Sequence, residues 1–120
     1  MADGDEYTIK HGKYRGAVRV AIDKATATTH TLISAVEGKR IRVLEAQIMF
    51  EGAGSTGYFH EESSTDTIYG DIEAITGSTA TVPTFNDSAG VETLTANKAF
   101  QLTLSVTLPI SGYLIYYLIN

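Results

Sequence analysis

A chain of 120 residues, 43% apolar and 19% charged, has the make-up of one globular domain, long enough to bury roughly two-thirds of its unfolded surface. It contains no cysteine, which excludes disulfide staples, thiolate catalysis and cysteine-based zinc sites. The net charge of -5 counts against nucleic acid as a direct partner, because phosphate binding needs clustered Lys and Arg.

Met1 to Lys13 has no sustained period and reads as an extended N-terminal arm, followed by a single β domain over residues 14–120. The arm starts acidic and polar, without the apolar stretch of a cleavable signal, so the expectation is synthesis in a cytoplasm. Tyr14 to Asp23 alternates Val18, Val20 and Ile22 against Arg19 and Ala21, the pattern of a strand with one wet face. Lys24 to Thr29 reads as a polar connection. His30 to Val36 reads as a short strand closed by the Glu37-Gly38-Lys39 turn.

Arg40 to Phe50 is a strand whose period-2 pattern changes phase. Ile41 and Val43 lie on one parity, and Leu44, Ala46, Ile48 and Phe50 on the other, as a β-bulge or a strand apolar on both faces would produce. Glu51 to Ser55 breaks it. Thr56–Glu61, Thr67–Ile75 and Thr79–Phe85 are further strands, the last confined by Pro83 to an edge or an end. After the Asn86–Gly90 loop and a weak strand at Val91–Ala96 come the two most regular segments. Phe100, Leu102, Leu104, Val106 and Leu108 alternate with polar residues up to Pro109, which is expected to close the strand. Gly112 to Asn120 places Tyr113, Ile115, Tyr117 and Ile119 on one face and Leu114, Tyr116 and Leu118 on the other.

About eight short strands with regularly spaced turns give an all-β, antiparallel β-sandwich, with a jelly roll preferred over an immunoglobulin-like order. Sixteen threonines and eight serines fit that reading.

No reactive constellation emerges, and the chain is read as non-enzymatic, without catalytic residue, metal or cofactor. His60 and Glu62 share a strand parity, but two ligands do not make a metal site; His11 and His30 stand alone. Asp71 and Glu73 form a same-face carboxylate pair best explained as solvated charge. Asp66 and Asp87 lack calcium-loop spacing. The glycine-rich Gly52–Gly57 stretch lacks the Gly-Lys-Ser/Thr ending of a phosphate loop. Surface apolarity is more informative. If one face of the last strand is internal, Leu114, Tyr116 and Leu118 form a candidate oligomer interface, unless the N-terminal arm or a bulge covers them within one chain. Lys10 to Arg19 gathers four cations around Tyr14, suited to an acidic protein surface.

Lys39-Arg40-Ile41-Arg42-Val43-Leu44-Glu45-Ala46, Ala99-Phe100-Gln101-Leu102-Thr103-Leu104 and Ser111-Gly112-Tyr113-Leu114-Ile115-Tyr116-Tyr117, in this order around a glycine-broken middle, resemble small tailed-bacteriophage virion proteins of the capsid decoration (cement) type. The resemblance spans about Arg40 to Asn120. It implies a small sandwich or jelly roll, made in the host cytoplasm, that binds the outside of a capsid. There it bridges capsomers of the major capsid protein, commonly as a homotrimer. Independently of the resemblance, the charge balance counts against a nucleic-acid partner, and the longest apolar run, Gly112 to Ile119, is too short for a membrane-spanning helix, so no membrane partner is expected. Tyr7, Ile9, Lys10, Lys13, Tyr14 and Arg15 are then the candidate capsid-contacting arm. Two other roles fit the same pattern: a tail or head-completion component, and a carbohydrate-binding jelly roll with Tyr58, Phe59 and Tyr69 as its aromatic platform.

Overall fold

The computed structural model describes residues 6–64, 69–74, 79–82, 91–93 and 95–119, with the backbone alone described for 69–74, 79–82 and 91–92. Among the described residues every regular element is a β-strand: β1 (Glu6–Thr8), β2 (Val18–Ile33), β3 (Arg40–Phe50), β4 (Ser55–Glu61), β5 (Tyr69–Ala74), β6 (Thr79–Val82), β7 (Val91–Glu92) and β8 (Phe100–Ile119). Every pairing is antiparallel. The sheet runs β1-β2-β8-β3-β6, with β4 joining β8 to β5, and β7 joining β3. The class expected from strand spacing, all-β and antiparallel, is the class observed.

β8 is the spine of this sheet. Its first half, Phe100 to Leu104, lies between β2 and β4; its second, Ile110 to Tyr116, lies between β2 and β3, and pairing with β3 alone continues to Ile119. Phe100, Leu102 and Leu104 from the first half and Leu108, Ile110, Leu114 and Tyr116 from the second enter one core. Val20, Ile22, Leu32 and Ile33 of β2, Ile41, Val43, Ala46, Ile48 and Phe50 of β3, and Phe59 of β4 complete it. Phe59 and Phe100 stack there with ring centroids 5.3 Å apart.

Two breaks expected from the sequence are absent. Lys24 to Thr29 does not separate two strands but belongs to β2, and Pro109 does not end β8. The register between β2 and β8 slips between Lys24 and Ala27 and again between Ala27 and Thr29, so both strands bend where they were expected to stop. Neither flank of β2 is buried through that stretch, and hence no apolar alternation marks it. Pro109 falls between Leu108, which pairs with Ala27, and Ile110, which pairs with Lys24; no ladder position calls for its missing N–H.

The phase change in β3 is a bulge. Register with β8 shifts between Val43 and Glu45, which keeps Ile41, Val43, Ala46, Ile48 and Phe50 on the core face and turns Leu44 to the opposite one. From Glu6 onward the stretch read as an arm is partly strand, since Glu6, Tyr7 and Thr8 pair with Val20, Arg19 and Val18. Pro83, Asp66, Asp87 and the 86–90 loop lie outside the described residues.

His30, expected to stand alone, has a partner at the bend. Its Nε2–H donates to the Leu108 carbonyl over 2.8 Å. Burial lowers its pKa, opposed by that hydrogen bond and assisted by Lys24. The neutral ring is thus favoured by folding. Its contribution is complete above the unfolded value of about 6.5 and is lost as pH falls through the interval down to the lower folded value. Urea unfolding at pH about 7 and about 5 should show an acid-side loss of stability that His30→Gln reduces. Equal acid sensitivity of the variant would refute the assignment.

Candidate functional site

Where Leu114 and Tyr116 turn into the main core, strand alternation sends Tyr113, Ile115 and Tyr117 to the other side of the sheet. Leu44, expelled by the bulge, joins Ile115 and Ala17 in a second, smaller cluster against which Ile9, Tyr14, Tyr113 and Tyr117 pack. This cluster forms because the 9–17 connection folds back over β8. Gly12 and Gly16 take positive φ (86° and 88°) at its turns. Backbone bonds close it: Ile9 N–H to Ala17 O and Gly16 N–H to Ile9 O, both 2.8 Å, and Ala17 N–H to Tyr14 O at 2.9 Å. Between Tyr113 and Tyr117, β8 is therefore covered on both sides within one chain, the outer side by its own N-terminal hairpin, while Leu118 stays 38% exposed.

Tyrosine hydroxyls fix the hairpin to the sheet. Tyr117 donates to the Arg15 carbonyl over 2.9 Å. Tyr113 donates to one oxygen of Glu45 over 2.6 Å and Tyr14 to the other over 3.4 Å, so one half-buried carboxylate joins loop, β3 and β8. The Arg19 guanidinium lies over the Tyr113 ring, 4.6 Å from its centroid, with the Tyr7 ring 5.9 Å away. Lys13 Nζ sits 5.0 Å from the Tyr14 ring centre. The result is a continuous strip running Tyr7, Arg19, Tyr113, Glu45, Tyr14, Lys13.

The Glu45 hydrogen bond, followed by burial and the negative charge of Glu45, pushes the Tyr113 phenol up to about 12, against the pull of Arg19. Burial, with the charge and hydrogen bond of Glu6, does the same at Tyr116. A raised phenol favours the protonated folded form; stability is retained up to pH about 10 and lost as pH rises toward about 12. Glu45→Gln should bring the Tyr113 ionisation, followed by the phenolate absorbance difference against Tyr113→Phe, back toward about 10. An unmoved ionisation would mean that Glu45 does not govern it.

The residues singled out in the sequence separate into two groups. Tyr7 is 56% exposed, Lys10, Lys13 and Arg15 are exposed, and Ile9 and Tyr14 are half-buried in the outer cluster, so the proposed contact set lies together around one hairpin. Of the candidate oligomer residues, Leu114 is fully buried and Tyr116 is 5% exposed in the core of the single chain, leaving Leu118, at 38%, to meet a partner. Arg19 belongs to the basic segment read from the sequence, whereas Glu45, Tyr113 and Tyr117 are not marked there as site residues. The parity of the last strand marks Tyr113 and Tyr117 as one face, but no local pattern marks partners 31 to 102 residues away.

The other half of the sheet has a polar outer surface. His60 Nδ1–H donates to the Glu61 carbonyl over 2.8 Å, its Nε2 shares a hydrogen bond with the Thr103 hydroxyl at 2.6 Å, and that hydroxyl shares another with Thr29 at 2.9 Å. These bonds tie β2, β8 and β4 together. They border a shallow pocket of about 140 Å³ lined by Thr56, Gly57, Tyr58, Thr103, Leu104 and Ser105. Tyr58 tilts against His60, Phe59 is in the core, and the Tyr69 side chain lies outside the described residues. Glu61 and Glu62 accept the Thr95 and Ala99 N–H groups at 3.0 and 3.1 Å, structural bonds that organise the entry to β8. Among the described residues no three His, Cys, Asp or Glu side chains gather as a metal site. Asp71 and Glu73 lie among residues whose side chains are not described.

The chain matches no family model, no curated protein and no solved structure.

Proposed function

We propose that this chain is a non-enzymatic structural protein of a virion, a capsid decoration or cement protein that docks on the outer surface of the major capsid protein and bridges capsomers. The observation that carries this reading is the N-terminal hairpin. It is fixed to the sheet by Tyr14, Tyr113 and Tyr117, and it presents Lys10, Lys13 and Arg15 outward beside the exposed ring of Tyr7. Holding contact residues in place before binding reduces the ordering cost of association. The resemblance carried by residues 40–120 points to the same role.

The β-sandwich with jelly-roll order belongs to this proposal. It is supported by a single core assembled from both halves of the bent β2 and β8. The homotrimer belongs to it as well. Three copies joined on a shell multiply weak contacts by avidity, so a modest surface on each copy suffices. Leu118, with Met49 at 44% and Val106 at 49% exposure, is available for contacts between copies or with the shell.

Light scattering of the purified chain, alone and with capsids assembled from the major capsid protein of the same genome, tests the role. The expected result is a trimer that co-sediments with capsids and raises their resistance to heat. A stable monomer that stays in the supernatant sinks the proposal.

A further inference from the structure

We infer that the outer face of the β2–β8–β3 half recognises an acidic patch on a partner protein, with Lys10, Lys13 and Arg15 as a charged rim and Tyr7, Arg19 and Tyr113 as the contact centre. The inference rests on the docking role proposed for this face and names the chemistry of what it docks on.

Charge segregation is the first argument. The chain carries a net charge of -5, yet between Glu6 and Asp23 it has four cations and no carboxylate. Lys10, Lys13 and Arg15 are exposed on the hairpin, and none of them pairs with a described carboxylate. Glu45 is half-buried and engaged by two phenols, and Glu6 is engaged by the Tyr116 hydroxyl. In physiological salt, charges are felt over about 8 Å, so an approaching surface reads this positive rim rather than the negative remainder of the chain.

Preorganisation is the second. Both ends of the hairpin are fixed, at Ile9 by the backbone bond to Ala17 and at Arg15 by the Tyr117 hydroxyl on its carbonyl. The rim cations thus stand on a held backbone, and Arg19 is placed between two aromatic rings. Tyrosine and arginine are the residues enriched at the centres of protein interfaces, where each contributes contact area together with a polar end.

A polynucleotide is the poorer fit. Its uniform, extended charge would meet a chain whose sum is negative, and four cations cannot neutralise the number of phosphates that holds such complexes at physiological salt. A local cluster of Asp and Glu on a folded partner matches the size of the rim.

The test uses the full chain and the variant Lys10→Glu/Lys13→Glu/Arg15→Glu, whose three positions are exposed and whose thermal midpoint should stay that of wild type. Two probes are used: capsids from the same genome by co-sedimentation, and immobilised poly-L-glutamate by surface plasmon resonance, each at low and high salt. Wild type should bind both probes with salt-sensitive affinity. The triple variant should bind at least about tenfold more weakly and lose the salt dependence, and Tyr7→Ala should weaken capsid binding by about tenfold. Capsid binding that survives charge reversal overturns the acidic-patch inference and leaves the docking role standing. Binding to poly-L-glutamate without capsid binding does the reverse. Failure on both probes, or tighter binding to duplex DNA or to anionic phospholipid vesicles than to poly-L-glutamate, overturns the inference.

Discussion

Replacing Gly112 with alanine is expected to cost about 3–5 kcal/mol, a large part of the ~5–15 kcal/mol that stabilises an ordinary domain. Gly112 sits in the middle of β8 with φ +137°, a backbone region that side chains other than hydrogen rarely enter. A Cβ built there overlaps the Gln47 carbonyl oxygen and lies 3.0 Å from its carbon and 3.3 Å from the Ile48 Cα. All three are backbone atoms of β3, so no rotamer change relieves the clash. β3 cannot withdraw locally either, because Gln47, Ile48 and Met49 pair in register with Tyr113, Gly112 and Ser111. Gly38→Ala is the control: it also has positive φ (75°), but nothing lies within 4 Å of its Cβ position, and strain alone should cost about 1 kcal/mol. Chemical denaturation of the two variants separates steric from conformational cost. A Gly112→Ala midpoint equal to that of Gly38→Ala would refute the close approach.

Much of the sheet is legible in the sequence because burial there is one-sided and regular. The alternation of Phe100, Leu102 and Leu104 translates directly into residues of the main core, whereas the last strand's pattern separates two faces without showing that Leu114 and Tyr116, rather than Tyr113 and Ile115, enter that core. The parity change at Val43 and Leu44 announces the bulge, since an apolar residue that breaks phase needs somewhere apolar to go and Leu44 finds it under the hairpin. What is not legible is continuity through the bend. β2 continues across Lys24 to Thr29 and β8 across Pro109 because register slips let the strands curve, and a curving strand with two wet flanks carries no periodic signal. The candidate site divides along the same line. The cations of the hairpin are visible as a cluster in sequence, whereas their orientation depends on hydroxyl bonds from Tyr113 and Tyr117, whose partners lie 68 and 102 residues away.

Leu114→Ala and Leu118→Ala should separate the two uses of the last strand. Both residues have core parity, and sequence alone gives them one fate. Leu114 is paired with Val20 on one side and Ala46 on the other, in mid-sheet, and is fully buried. Truncation there leaves a cavity that flanking strands cannot collapse into, at a cost of about 3 kcal/mol. Leu118 pairs with Ile41 near the end of β8, beyond the last position at which β2 pairs with it, and is 38% exposed; its truncation should cost under about 1 kcal/mol in the isolated chain. The contrast matters for assembly. If Leu118 contributes to contacts between copies, Leu118→Ala lowers the association constant measured by light scattering while leaving the unfolding midpoint of the dilute chain in place. Leu114→Ala lowers that midpoint at every concentration. A concentration-independent loss of about 3 kcal/mol at Leu118 would instead mean that the end of β8 belongs to the single-chain core, and contacts between copies would then have to be sought around Met49 and Val106.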